Sequence, residues 1–136
     1  MRVVFDSNIY VSALAIPGGN AEKAVLKVID GKDTLIVSKE ILNEVLTTLA
    51  KKFSRDHEEL SRVAVMITEM ARIVSPKKRL TLLEDDPDNR VLECAVAGNA
   101  DAVVTGDKEM LRLKDYKGIR IMTLREYLEK EMDREA

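Results

Sequence analysis

Residues 86–111, DPDNRVLECAVAGNADAVVTGDKEML, contain the alternation of elements that decides the fold. The stretch 86–98 has apolar residues at helical spacing, and AVVT at 102–105 is an apolar run typical of a buried strand. A short helical segment, DKEMLRL, begins at Asp107. Because parallel strands need a crossover connection, usually a helix, this order predicts a parallel sheet covered by helices.

The same alternation extends along the rest of the chain. Four further apolar runs predict strands, namely RVVF (2–5), TLIVS (34–38), RIVS (72–75) and IRIMT (119–123). Apolar spacing predicts the remaining helices at SNIYVSALA (7–15), NAEKAVLKVIDG (20–31), SKEILNEVLTTLAKKF (38–53), DHEELSRVAVMITEMA (56–71) and LREYLEKEMDREA (124–136). We therefore predict an α/β protein with three α/β/α layers around a central, mostly parallel sheet, forming a single domain over residues 1–136.

The composition restricts the class of protein. Of the 136 residues, 46% are hydrophobic and 34% are charged, which is typical of a globular chain. No apolar stretch approaches the length of a membrane span, and one cysteine, Cys94, permits neither an internal disulfide nor a multi-cysteine metal site. We expect Cys94 to be a core residue and the protein to be cytoplasmic, without a membrane partner. A net charge of −2 argues against a broadly basic nucleic-acid coat, but it permits an acidic metal site beside local basic patches.

Two aspartates directly follow predicted strands. Asp6 comes immediately after RVVF, and Asp107 follows AVVT after the step Thr105-Gly106. In an open parallel sheet, ligands bind outside the carboxyl ends of the strands, so both carboxylates should emerge at the same edge. Either residue could instead serve only as the N-cap of the helix that follows it.

Four acids occupy positions 84–88, and one of them is predicted to face inward. If the helix begins near Pro87, Asp86 is its N-cap, and Asp88 lies on one stripe with Leu92 and Ala95. Asp88 would then point toward the sheet, although Asp86 remains a rival for the position of the site acid. Carboxylates that converge repel one another unless a proton or a cation compensates, and hard divalent ions prefer oxygen ligands.

Two other ionisable residues have less support. Glu44 lies at the border of the apolar face of its helix, so periodicity predicts a solvated side chain. His57, the only histidine, stands at a predicted helix start where Asp56 is the expected N-cap and Glu59 its capping partner. We therefore interpret His57 as a solvated residue at a helix start rather than as a catalytic group.

Three stretches resemble the PIN-domain family, a family of metal-dependent ribonucleases that includes the VapC-type toxins of prokaryotic toxin–antitoxin pairs. They are VVFDSNIYVSAL (3–14), SKEILNEV (38–45) and the segment 86–111 quoted above. The resemblance implies that four residues match the acidic positions of the metal site: Asp6, Glu44, Asp88 and Asp107. It also implies that Asn8 orients the first acid and that Thr105 supplies a hydroxyl beside the last one. Ser7 stands where threonine is more usual in the family.

The resemblance implies hydrolysis of single-stranded RNA with Mg²⁺ or Mn²⁺. Asp6, Asp88 and Asp107 would hold the ion, and Glu44 would position a water molecule. We expect a cluster of three cations, Lys51, Lys52 and Arg55, to contact the RNA backbone, with the basic run 77–79 as an alternative.

The resemblance to the PIN-domain family also implies an antitoxin partner and a homodimer. The stripe of Leu60, Val63, Ile67 and Met70, with Met66 beside it, could form such an interface, although core packing explains the stripe more simply.

Other classes fit less well. A response-regulator receiver needs an acidic pair after the first strand and a lysine after the last, and an aspartate-nucleophile phosphatase needs an acid where Asn8 stands. A catalytically inactive PIN-like module that binds RNA or protein remains the alternative.

Overall fold

In a computed structural model of the protein, the backbone is described for residues 1–135 and the side chains for residues 1–129. The strands are β1 Arg2–Phe5, β2 Thr34–Ser38, β3 Ala71–Val74, β4 Ala102–Val104, β5 Asp115–Tyr116 and β6 Ile119–Met122. The helices are α1 Ser7–Ala15, α2 Asn20–Ile29, α3 Lys39–Lys52, α4 His57–Met70, α5 Asp86–Ala97, α6 Lys108–Leu111 and α7 Leu124–Glu135. The predicted helices and strands are thus confirmed, apart from position 136, which lies outside the described residues.

The strands form one six-stranded sheet in the order β3-β2-β1-β4-β6-β5. All neighbouring pairs are parallel except β5 and β6. In the centre, Val4 of β1 lies opposite Ile36 on one side and Val103 on the other. The predicted α/β architecture with a mostly parallel sheet is therefore confirmed.

The antiparallel edge strand β5 was not predicted. It has two residues and reaches β6 through Lys117 and Gly118, whose φ angles are 51° and 82°. Two consecutive residues with positive φ are typical of the tight hairpin turns that match the twist of the strands. A strand of two residues is too short for its alternation to be recognised in a sequence.

Helix α5 is buried along most of its length, because every residue from Asp88 to Ala95 is buried. It packs against β1, β2 and β4 and against α3. The helix ends at Gly98, where an added Cβ would lie 2.5 Å from Cγ2 of Ile36. Glycine at this position therefore allows the end of α5 to approach β2 closely.

The start of α5 differs from the prediction. The helix begins at Asp86, so Asp85 is the N-cap and Pro87 is the second helical residue, and no side chain caps the helix. The predicted N-cap role of Asp86 is therefore wrong. Two hydrogen bonds of 2.8 Å join the Asn89 amide to the backbone of Leu83 and attach the preceding loop to the first turn of the helix.

Other local predictions can be compared directly. The side chains of Ser38 and Asp56 accept hydrogen bonds at the starts of α3 and α4, as expected of N-caps. Glu59 is not a capping partner, because its carboxylate accepts a 2.8 Å hydrogen bond from Arg55 instead. His57 is exposed and Cys94 is buried, both as predicted. Within the described part of the chain, no helix has the length and apolar character needed to cross a membrane.

We predict that Gly98→Ala lowers the free energy of unfolding by about 1–3 kcal/mol, because the new methyl group must displace a side chain in a close-packed core. Urea denaturation followed by circular dichroism measures the change. Gly106→Ala is the matched control, since nothing lies within 4 Å of its added Cβ. Equal stability of the Gly98→Ala variant and the parent would contradict this account of the close approach.

Candidate active site

Two adjacent parallel strands bring the first acids together. Phe5 pairs with Val104 in the register of β1 and β4, and the backbone N–H of Asp6 donates to the carbonyl of Val104 at 3.1 Å. The residues that follow these strands therefore leave the sheet at the same edge and at the same level. This geometry confirms that Asp6 and the segment carrying Asp107 emerge together.

Asp6 is 3% exposed, and its carboxylate is surrounded by donors. Oδ1 accepts a hydrogen bond of 3.2 Å from the backbone N–H of Ile9, which makes Asp6 the N-cap of α1. Oδ2 accepts a short hydrogen bond from the hydroxyl of Thr105, and the backbone N–H groups of Asn8 and Gly106 also donate to the carboxylate. Burial nevertheless raises the pKa of Asp6, and the hydrogen bonds offset only part of that effect.

Thr105 connects Asp6 with Asp107. Its hydroxyl oxygen accepts from the backbone N–H of Asp107 at 3.0 Å and donates its proton to the Asp6 carboxylate. Asp107 is itself the N-cap of α6, because its Oδ1 accepts from the N–H of Met110 at 2.9 Å. One oxygen of each carboxylate is therefore used in capping a helix, and both residues serve locally as well as at the site.

Asp88 is the third acid at this edge and lies 8% exposed on the first turn of α5. Its Oδ2 is buried and accepts no hydrogen bond from an N–H or hydroxyl group, and a hydrogen bond between the Asp88 and Asp107 carboxyl groups helps to raise the pKa of Asp88. Burial raises the pKa of Asp88 to about 7, with further increases from the negative charges of Asp107, Asp85 and Asp6. Asp86 is exposed, so of the two rivals it is Asp88 that lies within electrostatic reach of the other site acids.

The donors at this edge suit a hard divalent cation. Three carboxylates supply oxygen atoms, one of which is buried and accepts no hydrogen bond from an N–H or hydroxyl group, and their mutual repulsion favours a positive charge between them. Among the described side chains, however, no three acids, histidines or cysteines are already arranged as a complete set of metal ligands.

A cleft of about 150 Å³ lies beside the first turns of α1 and α5, and Asp6, Asp88 and Asp107 do not line it. Its lining includes Ser7, which follows Asp6, together with Glu40, Ile41, Glu44, Arg79, Asp86, Pro87, Arg90 and Val91. Glu44 is half-buried on the wall of this cleft, so the expectation of a solvated side chain from periodicity is not fully met. The position of Glu44 is compatible with the role that the resemblance implies, which stays a prediction.

The other predicted residues lie in different surroundings. Asn8 is exposed, and it contacts the Asp6 carboxylate through its backbone N–H rather than through its amide. Lys51, Lys52 and Arg55 are exposed at the end of α3 and do not line the cleft, and Arg55 pairs with Glu59. Lys52 lies about 12 Å further along the helix axis than Glu44. Whether these cations contact RNA stays a prediction.

Sequence reasoning missed three buried polar residues of α5, namely Asn89, Arg90 and Glu93. Arg90 and Glu93 are three positions apart and form an ion pair of 3.1 Å. Glu93 also accepts a 2.6 Å hydrogen bond from the N–H of Leu80. The signal was that the apolar residues of 91–97 lie on every side of the helix, which indicates a buried helix whose polar residues need buried partners.

The fold and the site define a class of protein. A mostly parallel α/β sheet with acids after β1 and β4 and on a flanking helix places these acids at the carboxyl edge, where open α/β sheets bind their ligands. The chain belongs to the PIN-domain family, since the family model described as PIN domain matches residues 2–109.

Known proteins with similar sequences or folds agree with this assignment. The uncharacterized protein MJ1680 of Methanocaldococcus jannaschii is 25% identical over 119 residues, covering 85% of this chain and 76% of the relative. A chain in the crystal structure of VapBC2 from Rickettsia felis, bound to a DNA fragment from the promoter, has a TM-score of 0.67 at 18% identity, covering 90% of this chain and 98% of that one. A chain in VapBC-1 from nontypeable Haemophilus influenzae gives 0.66 at 18% identity, with 92% and 99% covered.

We predict that Asp88→Asn stabilises the metal-free protein at pH 8. The pKa of Asp88 is higher in the folded state than in the unfolded chain, so its ionisation destabilises the fold as the pH rises from about 4 through about 7. The substitution removes that ionisation. Thermal melts in EDTA should show a melting temperature roughly 3–8 °C above the parent at pH 8 and a smaller difference at pH 5.

Asp86→Asn is the control for this prediction, because Asp86 is exposed at the start of the same helix. Its melting temperature should follow that of the parent at both pH values. If the Asp86 variant shows the pH-dependent gain and the Asp88 variant does not, the assignment of the inward acid is wrong.

Proposed function

We propose that the protein is a Mg²⁺- or Mn²⁺-dependent endoribonuclease that hydrolyses phosphodiester bonds of single-stranded RNA, and that residues 1–136 form a single domain. The observation that supports this most is the group of Asp6, Asp88 and Asp107 at one edge of the sheet, where the charges of the other two acids help to raise the pKa of the buried Asp88. Membership of the PIN-domain family supports it as well.

Each site residue has a separate role in this proposal. Asp6, Asp88 and Asp107 would hold the ion, while Thr105 fixes the orientation of the Asp6 carboxylate through its hydroxyl. When bound, a divalent ion supplies Lewis acidity and neutralises negative charge at the scissile phosphate. Glu44, on the wall of the adjoining cleft, would orient the attacking water, and Asn8 would support Asp6.

A nucleophile from the protein itself has little support. His57 is exposed at the start of α4, and Cys94 is fully buried. Burial raises the pKa of the Cys94 thiol to about 12, so the thiolate is absent at neutral pH. Hydrolysis by water is therefore the chemistry that the described residues support best.

The proposed partners are single-stranded RNA, an antitoxin protein and a second copy of the chain. The similar folds of chains in VapBC2 and VapBC-1 support the proposal of an antitoxin partner. The predicted stripe on α4 packs largely inward, since Ile67 is buried and Leu60, Val63 and Met70 contact the core. Val65 and Met66 remain exposed beside it, and this surface supports the proposed homodimer.

A second candidate is a catalytically inactive PIN-like module that binds RNA or protein. The observation in its favour is that the described acids are not already arranged as a complete set of ligands. An activity assay separates it from the enzyme.

We predict that the protein cleaves a pool of mixed single-stranded RNA in Mg²⁺ or Mn²⁺ and that EDTA stops the reaction. Asp6→Asn should reduce the rate about 100-fold or more, because it removes the acid at the centre of the site. Gel electrophoresis of end-labelled RNA measures the rates. Asp30→Asn, an exposed aspartate at the end of α2, is the matched control and should retain full activity.

Thermal melts must show that the Asp6→Asn variant is folded. If it cleaves RNA as fast as the parent, the proposed enzyme is wrong. If the parent binds RNA without cutting it in either metal, the inactive module is supported instead.

For assembly, we predict that light scattering at micromolar concentration gives about twice the monomer mass of 15.3 kDa. Met66→Glu should shift the mass toward that of the monomer, because it places a charge in an apolar interface. Leu26→Glu, at another exposed apolar residue, is the control and should remain a dimer. A monomer mass for the parent would contradict the proposed homodimer.

A further inference from the structure

The guanidinium group of Arg90 has unused donors. Arg90 is 8% exposed on α5, its Nη2 donates to the carbonyl of Leu80 at 2.8 Å, and the same nitrogen lies 3.1 Å from Glu93. Its Nε and Nη1 are buried and have no hydrogen-bond partner. The charge of Arg90 is paired with Glu93, but two of its buried N–H donors have no acceptor, which is unfavourable and indicates that a further acceptor joins at this group.

The position of Arg90 indicates where that acceptor would bind. Arg90 lines the same cleft as Ser7, the residue after Asp6, and it follows Asp88 by two residues. Two residues correspond to about 200° around a helix, so Arg90 faces the cleft while Asp88 faces the other acids. The three carboxylates that also line the cleft, those of Glu40, Glu44 and Asp86, make no hydrogen bond or ion pair with Arg90.

We propose that Arg90, with the exposed Arg79 on the same cleft, binds a phosphate of the RNA strand next to the phosphate that is cut. This inference rests on the proposed function. Guanidinium groups match phosphate oxygens in charge and in donor geometry. The cleft volume of about 150 Å³ lies below the range of cavities that enclose small-molecule ligands, so it suits a single phosphate group of a longer chain.

Arg90 also has a structural role, which the experiment must separate from phosphate binding. Its bond to Leu80 and its pair with Glu93 attach the loop before α5 to the helix. Those contacts use Nη2, and they leave Nε and Nη1 unexplained. A residue that only anchored the loop would change the melting temperature without changing the salt dependence of RNA binding.

The test measures binding of a fluorescent 10-nucleotide single-stranded RNA by anisotropy at several salt concentrations. The Asp6→Asn background prevents cleavage during the measurement. In that background, Arg90→Met should raise Kd about 10-fold or more, and it should reduce the slope of log K against log salt by about 0.7, the value for one phosphate contact on a single strand. Arg90→Lys keeps the positive charge but loses the planar guanidinium group, so its Kd should lie between that of the Asp6→Asn background and that of Arg90→Met.

Arg125→Met is the matched control, because Arg125 is an exposed arginine of α7 that pairs with Glu129. It should leave both Kd and the salt slope unchanged. Thermal melts of each variant report the structural contribution separately. If Arg90→Met does not fold, Arg90→Lys and Arg79→Met decide the question by the same two measurements.

The outcomes separate this inference from the proposed function. If RNA is cleaved by the parent while the arginine variants bind RNA with unchanged Kd and salt slope, the inference is overturned and the nuclease stands. If the parent binds RNA in an Arg90-dependent way but cleaves nothing, the phosphate site is supported and the enzyme is wrong. If the parent does not bind RNA, both are overturned, and an acidic partner protein becomes the occupant to test.

Discussion

The hydrogen bond from the Thr105 hydroxyl to the Asp6 carboxylate is the contact on which the geometry of the site depends. It forms because β1 and β4 are adjacent, parallel and in register, so that the residues after both strands leave the sheet at one level. The same hydroxyl accepts from the N–H of Asp107, which ties the start of α6 to the end of β1. Two strand ends and two helix starts are thereby held in one arrangement, and the carboxylates have few orientations left.

This arrangement carries an electrostatic penalty in the folded state. Burial raises the pKa of Asp6 and of Asp88, and the negative charge of Asp107 adds to the effect at Asp88. The N-capping hydrogen bonds that Asp6 accepts from Ile9 and Asp107 accepts from Met110 offset part of this penalty. The fold therefore keeps its acids close together through backbone contacts, and it leaves the repulsion to be relieved by a proton or a cation at the edge.

The fold and the positions of the three acids could be predicted from the sequence, because they depend on apolar periodicity and on the order of strands and helices. Asp6 and Asp107 follow apolar strands directly, and the helical stripe of Leu92 and Ala95 identified Asp88 as inward-facing. The start of α5 and the surroundings of Glu44 could not be predicted, because they depend on tertiary contacts that periodicity does not show. The Asn89 amide bonds to the backbone of Leu83 in the loop before α5, and Glu44 lies half-buried on the wall of the cleft.

Helix α5 shows why a single element can serve both the core and the site. Its apolar residues pack against the central strands, while its polar residues bond to the loop that precedes it, through Asn89 to Leu83 and through Arg90 and Glu93 to Leu80. Because these bonds fix the loop and the first turn together, Asp88 and Arg90 hold a constant separation on opposite sides of the helix. An acid facing the strand ends and a cation facing the adjoining cleft are then two consequences of one buried helix.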